Sequence, residues 1–512
     1  MPKSAPHTVR LSLGPLTIAD VLAVVRRAAK VTLTPAARRA MLASRRAVEH
    51  SLTDGDPHYG INTGFGSLSK QRIGPTDLAT LQVNLVRSHA AGVGETLPVE
   101  IVRATMLLLA ASLARGHSGV RPELAELIIE MLNRGVTPVV PSVGSVGASG
   151  DLAPLAAIAL VLIGEGEAFH NAKRTTGAKA LAGAGLKPVA LAAKEGLALI
   201  NGTHLMAARG ALLSADAATL IDAATVATAM SIDACRATDA FLDERLYDAR
   251  NHLGPRVIAA RLRSLLKHSE IITSHLENDP RVQDPYSLRA APTVLGAVLR
   301  AVGVLTSDIE AELGAVTDNP LVFIGTKKNA DIISGANFHG MPLALPLDYL
   351  AMALAHVAGI AERRVYLMTG AFEPESHLKP FLAPRPGLQS GLMIAQYTAA
   401  AACNELIGLA TPASPANIST SAGMEDYNSF GPRAAAKAER ALALARYVVA
   451  IEFLCAAQAI EYHRPLTSGR GIERAHAIIR EHVPALGEDR SPTADIEAIS
   501  NLIAAGAFAE CR

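Results

Sequence analysis

The stretch GSVGASGDLAP, Gly144 to Pro154, sets three glycines and the small residues Ser145, Ala148 and Ser149 directly before an apolar run that reaches Gly164. Small side chains leave the backbone accessible and conformationally free. Such a segment suits a tight turn, an anion-holding loop, or chemistry done by the backbone itself. Three glycine-loop chemistries do not fit. A phosphate-binding loop needs GxxxxGK[ST], and no lysine follows Gly150. A nucleophile elbow needs GxSxG, and Ser149 is followed two positions later by Leu152's neighbour Asp151 rather than glycine. A dinucleotide fingerprint needs GxGxxG after a strand, and the spacing here is GxxGxxG.

Two readings remain. One is a turn that caps a helix starting near Asp151, with Ser149 or Asp151 as the N-cap. The other is backbone cyclisation. The Gly150 nitrogen, unhindered by a Cβ, adds to the Ala148 carbonyl carbon. Two waters leave, one of them carrying the Ser149 hydroxyl, and the product is an electrophilic five-membered ring with an exocyclic methylene, methylidene-imidazolone (MIO). A helix N-terminus behind the loop adds partial positive charge and sharpens the electrophile. By itself the segment favours the turn.

The rest of the chain narrows the field. Lys+Arg 48 against Asp+Glu 47 gives a net charge of +1 over 512 residues, with no global pull toward nucleic acid or an anionic membrane. Seven basic residues lie between Arg26 and Arg46, but no aromatic is interleaved, and they read as a solvated helix face. Cys235, Cys403, Cys455 and Cys511 are far apart and lack metal-ligand spacing, so no metal, no zinc site and no disulfide framework are expected, and a reducing compartment fits. Asp20 interrupts the N-terminal apolar stretch, which argues against a signal peptide. The longest uninterrupted apolar run, about Leu152 to Gly164, is shorter than the roughly 20 residues a bilayer needs. A soluble, cytoplasmic protein with no membrane or nucleic-acid partner is expected.

Residues 1–200 alternate short helical patterns with Gly- and Pro-rich turns, whereas long alanine- and leucine-rich windows follow at 205–230, 290–315, 347–370, 390–410 and 433–461. Their charges recur at helical spacing, which predicts a bundle of long helices. The expected fold is mainly α: an N-terminal, mixed, loop-rich helical domain over 1–200 and a long central helical bundle over 201–512.

The extended stretch GSVGASGDLAPLA resembles the MIO signature of the aromatic amino-acid ammonia-lyases and aminomutases. The similarity continues, in family order, through YGINTGFG (59–66), SHAAG (88–92), EGLALINGT (195–203), VQDPYSLR (282–289), TDNPLVF (317–323), ISGANFHG (333–340) and MEDYNS (424–429). It covers most of the chain and is similar above all to histidine ammonia-lyases. The resemblance implies a fumarase/aspartase-like fold, a homotetramer with active sites shared between chains, and a MIO built from Ala148, Ser149 and Gly150 with no external cofactor. Asp151 supports ring formation, helix capping being its plainer role.

The implied reaction removes ammonia from an α-amino acid and a proton from its β-carbon, which requires an electrophile and a positioned base. The resemblance makes Tyr59 that base, on a loop with Gly60, Gly64 and Gly66 that is free to close; without it, Tyr59 reads as a surface-loop tyrosine. Arg289 is expected to bind the substrate carboxylate through its planar fork. Tyr286 (the next candidate base), Gln283 and Asn201 position the adduct, and Phe338 packs by the ring, although a core role suits it as well. Substrate choice is reported by two places. Ser88-His89 matches the Ser-His of histidine lyases, where phenylalanine lyases have Phe-Leu and tyrosine lyases His-Leu. Glu425 stands where phenylalanine lyases have Gln and histidine lyases Glu. Both point to L-histidine, with urocanate and ammonia as products. Two departures are Met424, a candidate for reshaping the pocket wall, and His204, which follows NGT where Gln is usual. A phenylalanine/tyrosine ammonia-lyase, an aminomutase and a silent helical scaffold are the alternatives, and intact Tyr59, Ala148-Ser149-Gly150 and Arg289 argue against the last.

Overall fold

The computed structural model describes residues 8–277, 279–325 and 330–511. The chain is mainly helical, and its residues cluster into two compact units. The first comprises Met1–Leu212, Leu305–Leu347 and Ala413–Ala435; the second comprises Leu213–Val304, Asp348–Pro412 and Ala436–Arg512. The alanine- and leucine-rich windows are the helices His204–Ala234, Ala291–Glu312, Met341–Gly370, Met393–Leu409 and Gly431–Glu461. Alanine and leucine lose little rotamer freedom in a helix, so these windows propagate over many turns once packing supports them.

Three of these helices, His204–Ala234, Met341–Gly370 and Gly431–Glu461, are long and apolar enough to cross a membrane by length and composition. This corrects the expectation drawn from the uninterrupted run, because a helix tolerates a charge or two without losing its apolar average. Of their most apolar stretches, 72%, 61% and 83% is buried within the fold. A helix that is apolar nearly all round must be covered, and here other parts of the chain cover most of it.

In the second unit one buried polar cluster ties three of these helices together. Arg364 forks onto Glu452, with distances of 2.5 and 2.9 Å, and Ser231 Oγ donates to the same carboxylate at 2.7 Å. Both charged side chains are shielded completely from solvent. Removing either partner would leave a bare buried charge, at a cost of roughly 3–5 kcal/mol.

In the first unit the apolar helix Leu152–Leu162 packs on Leu78–His89 and on Glu195–Ile200. The antiparallel pairing of Val93–Thr96 with Pro141–Val143 brings the C-terminal end of Leu78–His89 beside the start of the glycine loop. The basic segment behaves as a solvated face at Arg38, which meets Glu123 and Glu126 at the surface. Arg45 departs from that reading. It is buried in the interior, where the Gly119 and Ala193 carbonyls and Glu49 accept its protons.

Candidate active site

The glycine loop is held by backbone geometry that few sequences allow. Gly150 has φ +71°, and a Cβ there would fall 2.1 Å from the Gly202 carbonyl oxygen, so glycine is required on two counts. Gly150 and Gly202 form a parallel bridge, in which Gly202 N–H donates to the Ser149 carbonyl at 3.3 Å and Asp151 N–H donates to the Gly202 carbonyl at 2.7 Å. On the other side of the loop, Ser429 Oγ and Gly340 N–H both donate to the Gly147 carbonyl, at 2.9 and 3.2 Å. Asn201, oriented so that its amide satisfies both neighbours, donates to the Ser149 carbonyl at 3.0 Å and accepts from Asn319 N–H at 3.1 Å. Two donors therefore converge on that one carbonyl oxygen.

Asp151 precedes the helix Leu152–Leu162 but makes no side-chain cap to it. Its Oδ2 instead accepts the Leu205 and Met206 amides, at 2.9 and 3.0 Å, in the first turn of His204–Ala234. The capping role is thus real but served on a distant helix, where the dipole favours a carboxylate. Burial pushes the Asp151 carboxyl up to about 7, against the downward pull of these amides and of Ser145. His204 packs against Gly202 and does not line the cavity described below; burial pushes its imidazole down to about 4, and neither ring nitrogen has a hydrogen-bond partner among the described residues.

A cavity of about 510 Å³ opens over the loop, within the first unit. It gathers Tyr59, His89, Ser149, Asn201, Phe338 and Glu425 from six separate places in the sequence. Ser149 Oγ donates to Glu425 Oε1 at 3.0 Å across 276 positions, and Thr420 Oγ donates to Oε2 at 3.0 Å. Tyr59 OH accepts the Gly66 amide at 3.2 Å. His89 Nδ1 lies 2.8 Å from the Leu85 carbonyl, which can only accept, so the proton belongs on Nδ1 and the neutral ring has Nε2 as its acceptor. Ala148 and Gly150 are buried behind Ser149.

Gln283, Tyr286 and Arg289 are absent from this lining and belong to the second unit. There Arg289 donates to Gln283 Oε1 at 2.7 Å and to the Asp284 carbonyl at 2.9 Å, and its guanidinium lies 4.4 Å from the centroid of the Tyr286 ring. Tyr286 is 71% exposed. Met424 is absent from this lining and is exposed. Sequence reasoning missed Leu81, Leu85 and Asn319 as lining residues. The signal for the two leucines was available, since they precede His89 by four and eight positions on one helix and share its face.

The model of the aromatic amino acid lyase family matches residues 16–481. A histidine ammonia-lyase of Stigmatella aurantiaca is 48% identical over 492 residues, covering 96% of this chain and 95% of its own length. The crystal structure of histidine ammonia-lyase from Trypanosoma cruzi matches with TM-score 0.90 at 37% identity, covering 98% of this chain and 94% of that one. That of tyrosine aminomutase from Streptomyces globisporus matches with TM-score 0.92 at 33% identity, covering 98% of each. With a family model spanning most of its length and relatives at this identity, the chain belongs to the aromatic amino acid lyase family.

Proposed function

We propose that this chain is a histidine ammonia-lyase, releasing ammonia and urocanate from L-histidine in the cavity of the first unit. The observation that carries the reading is the placement of Glu425 and His89 in the same cavity as Ser149. A carboxylate and an accepting imidazole nitrogen complement the N–H of a substrate imidazole. Beside a phenyl ring the carboxylate would be desolvated without a partner. The histidine ammonia-lyases among its relatives support the same substrate.

Ala148, Ser149 and Gly150 fit a MIO ring. Gly150 holds φ +71° with no room for a side chain, and the Ser149 hydroxyl faces a carboxylate, Glu425, able to exchange a proton with it. When formed, the ring supplies the electrophile that captures the substrate. The surrounding residues do the rest. Tyr59 takes the β-proton. Asn201 and the Gly202 amide hold the Ser149 carbonyl, Asp151 supports ring formation by fixing the loop to His204–Ala234, and Phe338 excludes water. In a homotetramer, a neighbouring copy completes the cavity with its own Gln283, Tyr286 and Arg289, the last binding the substrate carboxylate. The exposure of Tyr286 and the absence of all three from the lining within one chain support this. Four unpaired thiols suit a cytoplasmic setting.

The test is a steady-state assay with histidine, phenylalanine and tyrosine, each product followed separately. Urocanate formation should dominate. A preference for phenylalanine or tyrosine, or a β-amino acid as product, overturns the assignment. Co-expressing Ser149→Ala and Arg289→Met chains should restore activity that neither has alone; continued inactivity of the mixture overturns the shared site.

A further inference from the structure

Lys194 and Asp318 form an ion pair that the reaction does not use. The lysine is shielded completely and the aspartate is 2% exposed, with Nζ 2.5 Å from Oδ2. Lys194 holds a left-handed backbone, φ +74°, at the N-cap of Glu195–Ile200, a conformation that a residue with a side chain keeps only when its surroundings enforce it. That short helix ends at Asn201. On the other side of the pair, Asp318 Oδ1 accepts the Asn319 amide at 2.6 Å, and the same amide faces Asn201 Oδ1 at 3.1 Å. The Asn319 side chain is itself fixed, since Gly335 N–H donates to its Oδ1 at 2.7 Å. One position earlier, Thr317 Oγ accepts the Thr203 amide at 3.2 Å. Residues 317–319 are thereby laced to 201–203, and Asn201 ends the chain of contacts on the Ser149 carbonyl.

We propose that Lys194 and Asp318 are positioning residues for the Ser149 carbonyl, acting through Asn319 and Asn201. The inference rests on the ring reading above. A buried ion pair is a weak stabiliser, because desolvation offsets most of its attraction and a well-packed apolar pair often does as well. What the pair adds is direction. It ties the start of Glu195–Ile200 to residue 318, so the amide at 201 and its acceptor at 149 keep one register. Neither residue lines the cavity.

The test compares the full-length wild type with Lys194→Met/Asp318→Leu, which removes both charges at similar volume and leaves neither partner bare. Thermal melting establishes folding, intact-mass spectrometry reads the loss of two waters, and histidine kinetics are normalised to the dehydrated fraction. The folded double variant should dehydrate incompletely. Its dehydrated fraction should lose about 10- to 100-fold in kcat, with KM changed by no more than about twofold, as expected when a reacting group is displaced slightly. If the double variant does not fold, Lys194→Leu/Asp318→Ala, which likewise removes both charges and the tie between them in a smaller side-chain volume, is read in the same way. A folded variant that dehydrates as fully as wild type and keeps its kcat overturns the inference alone. A wild type of full mass overturns the ring reading and this inference with it.

Discussion

Glu425→Gln tests substrate choice with little else disturbed. The backbone at 425 is held by paired hydrogen bonds with Thr420, at 2.9 and 3.3 Å, which do not involve the side chain. The amide oxygen of glutamine can keep the Thr420 hydroxyl as its donor, and the Ser149 hydroxyl can turn to accept from the amide nitrogen. Fold and loop should therefore survive. What is lost is a charged acceptor. In the closed ring the Ser149 hydroxyl is gone, so Glu425 Oε1 no longer has its present donor and stands ready for a substrate N–H. A hydrogen bond to a charged group contributes roughly 1.5–3 kcal/mol net, or about 10- to 150-fold in kcat/KM. Phenylalanine loses no such bond and gains a neutral neighbour in place of a desolvated carboxylate. The ratio of kcat/KM for histidine over phenylalanine should then fall at least about tenfold. The assay measures both substrates with wild type and variant, each normalised to the fraction that has lost two waters. An unchanged ratio, or a wild type that prefers phenylalanine, refutes the reasoning. His89 lines the same cavity, so its substitution together with Glu425→Gln should give less than the sum of the separate losses.

Ser149→Ala removes the leaving hydroxyl; intact mass should show no dehydration and activity should fall by orders of magnitude while the melting temperature holds, and an active variant would contradict the ring. Tyr59→Phe keeps the ring and its packing but removes the phenol, so kcat should drop far more than KM rises; near-normal turnover would pass the role of base to another residue. Asp151→Asn should change how stability depends on pH. The native carboxyl, raised from its ordinary 3.8 to about 7 by burial, holds its proton more tightly than the unfolded chain does. Its contribution is most favourable below pH 4, declines as pH rises to about 7, and is level above, by at most roughly 4 kcal/mol. Melting at pH 5 and pH 8 should show a shallower decline in Asp151→Asn than in wild type, and equal declines would refute the buried-charge account.

The case for ring closure at Ala148-Ser149-Gly150 could be made from sequence because its ingredients are local. A missing Cβ, a leaving hydroxyl and a small neighbour are properties of three adjacent residues, and each is visible without a fold. The long helices were legible for the same reason, since alanine and leucine at helical spacing decide helix over strand within a few turns. The resemblance added His89 and Glu425 as a pair, and both line the cavity. Other features depended on partners far away in the chain. Asp151 read as the cap of the helix it precedes, yet its carboxylate serves the amides of Leu205 and Met206. Arg45 read as solvated, yet it is buried against two backbone carbonyls. Nothing near residue 194 announces that its ammonium meets residue 318, and no local pattern assigns 305–347 and 413–435 to the unit that carries the glycine loop. Propensity, periodicity and backbone sterics act over a handful of residues. A hydrogen bond or ion pair across 276 or 124 positions exists only once the topology has brought its two ends together.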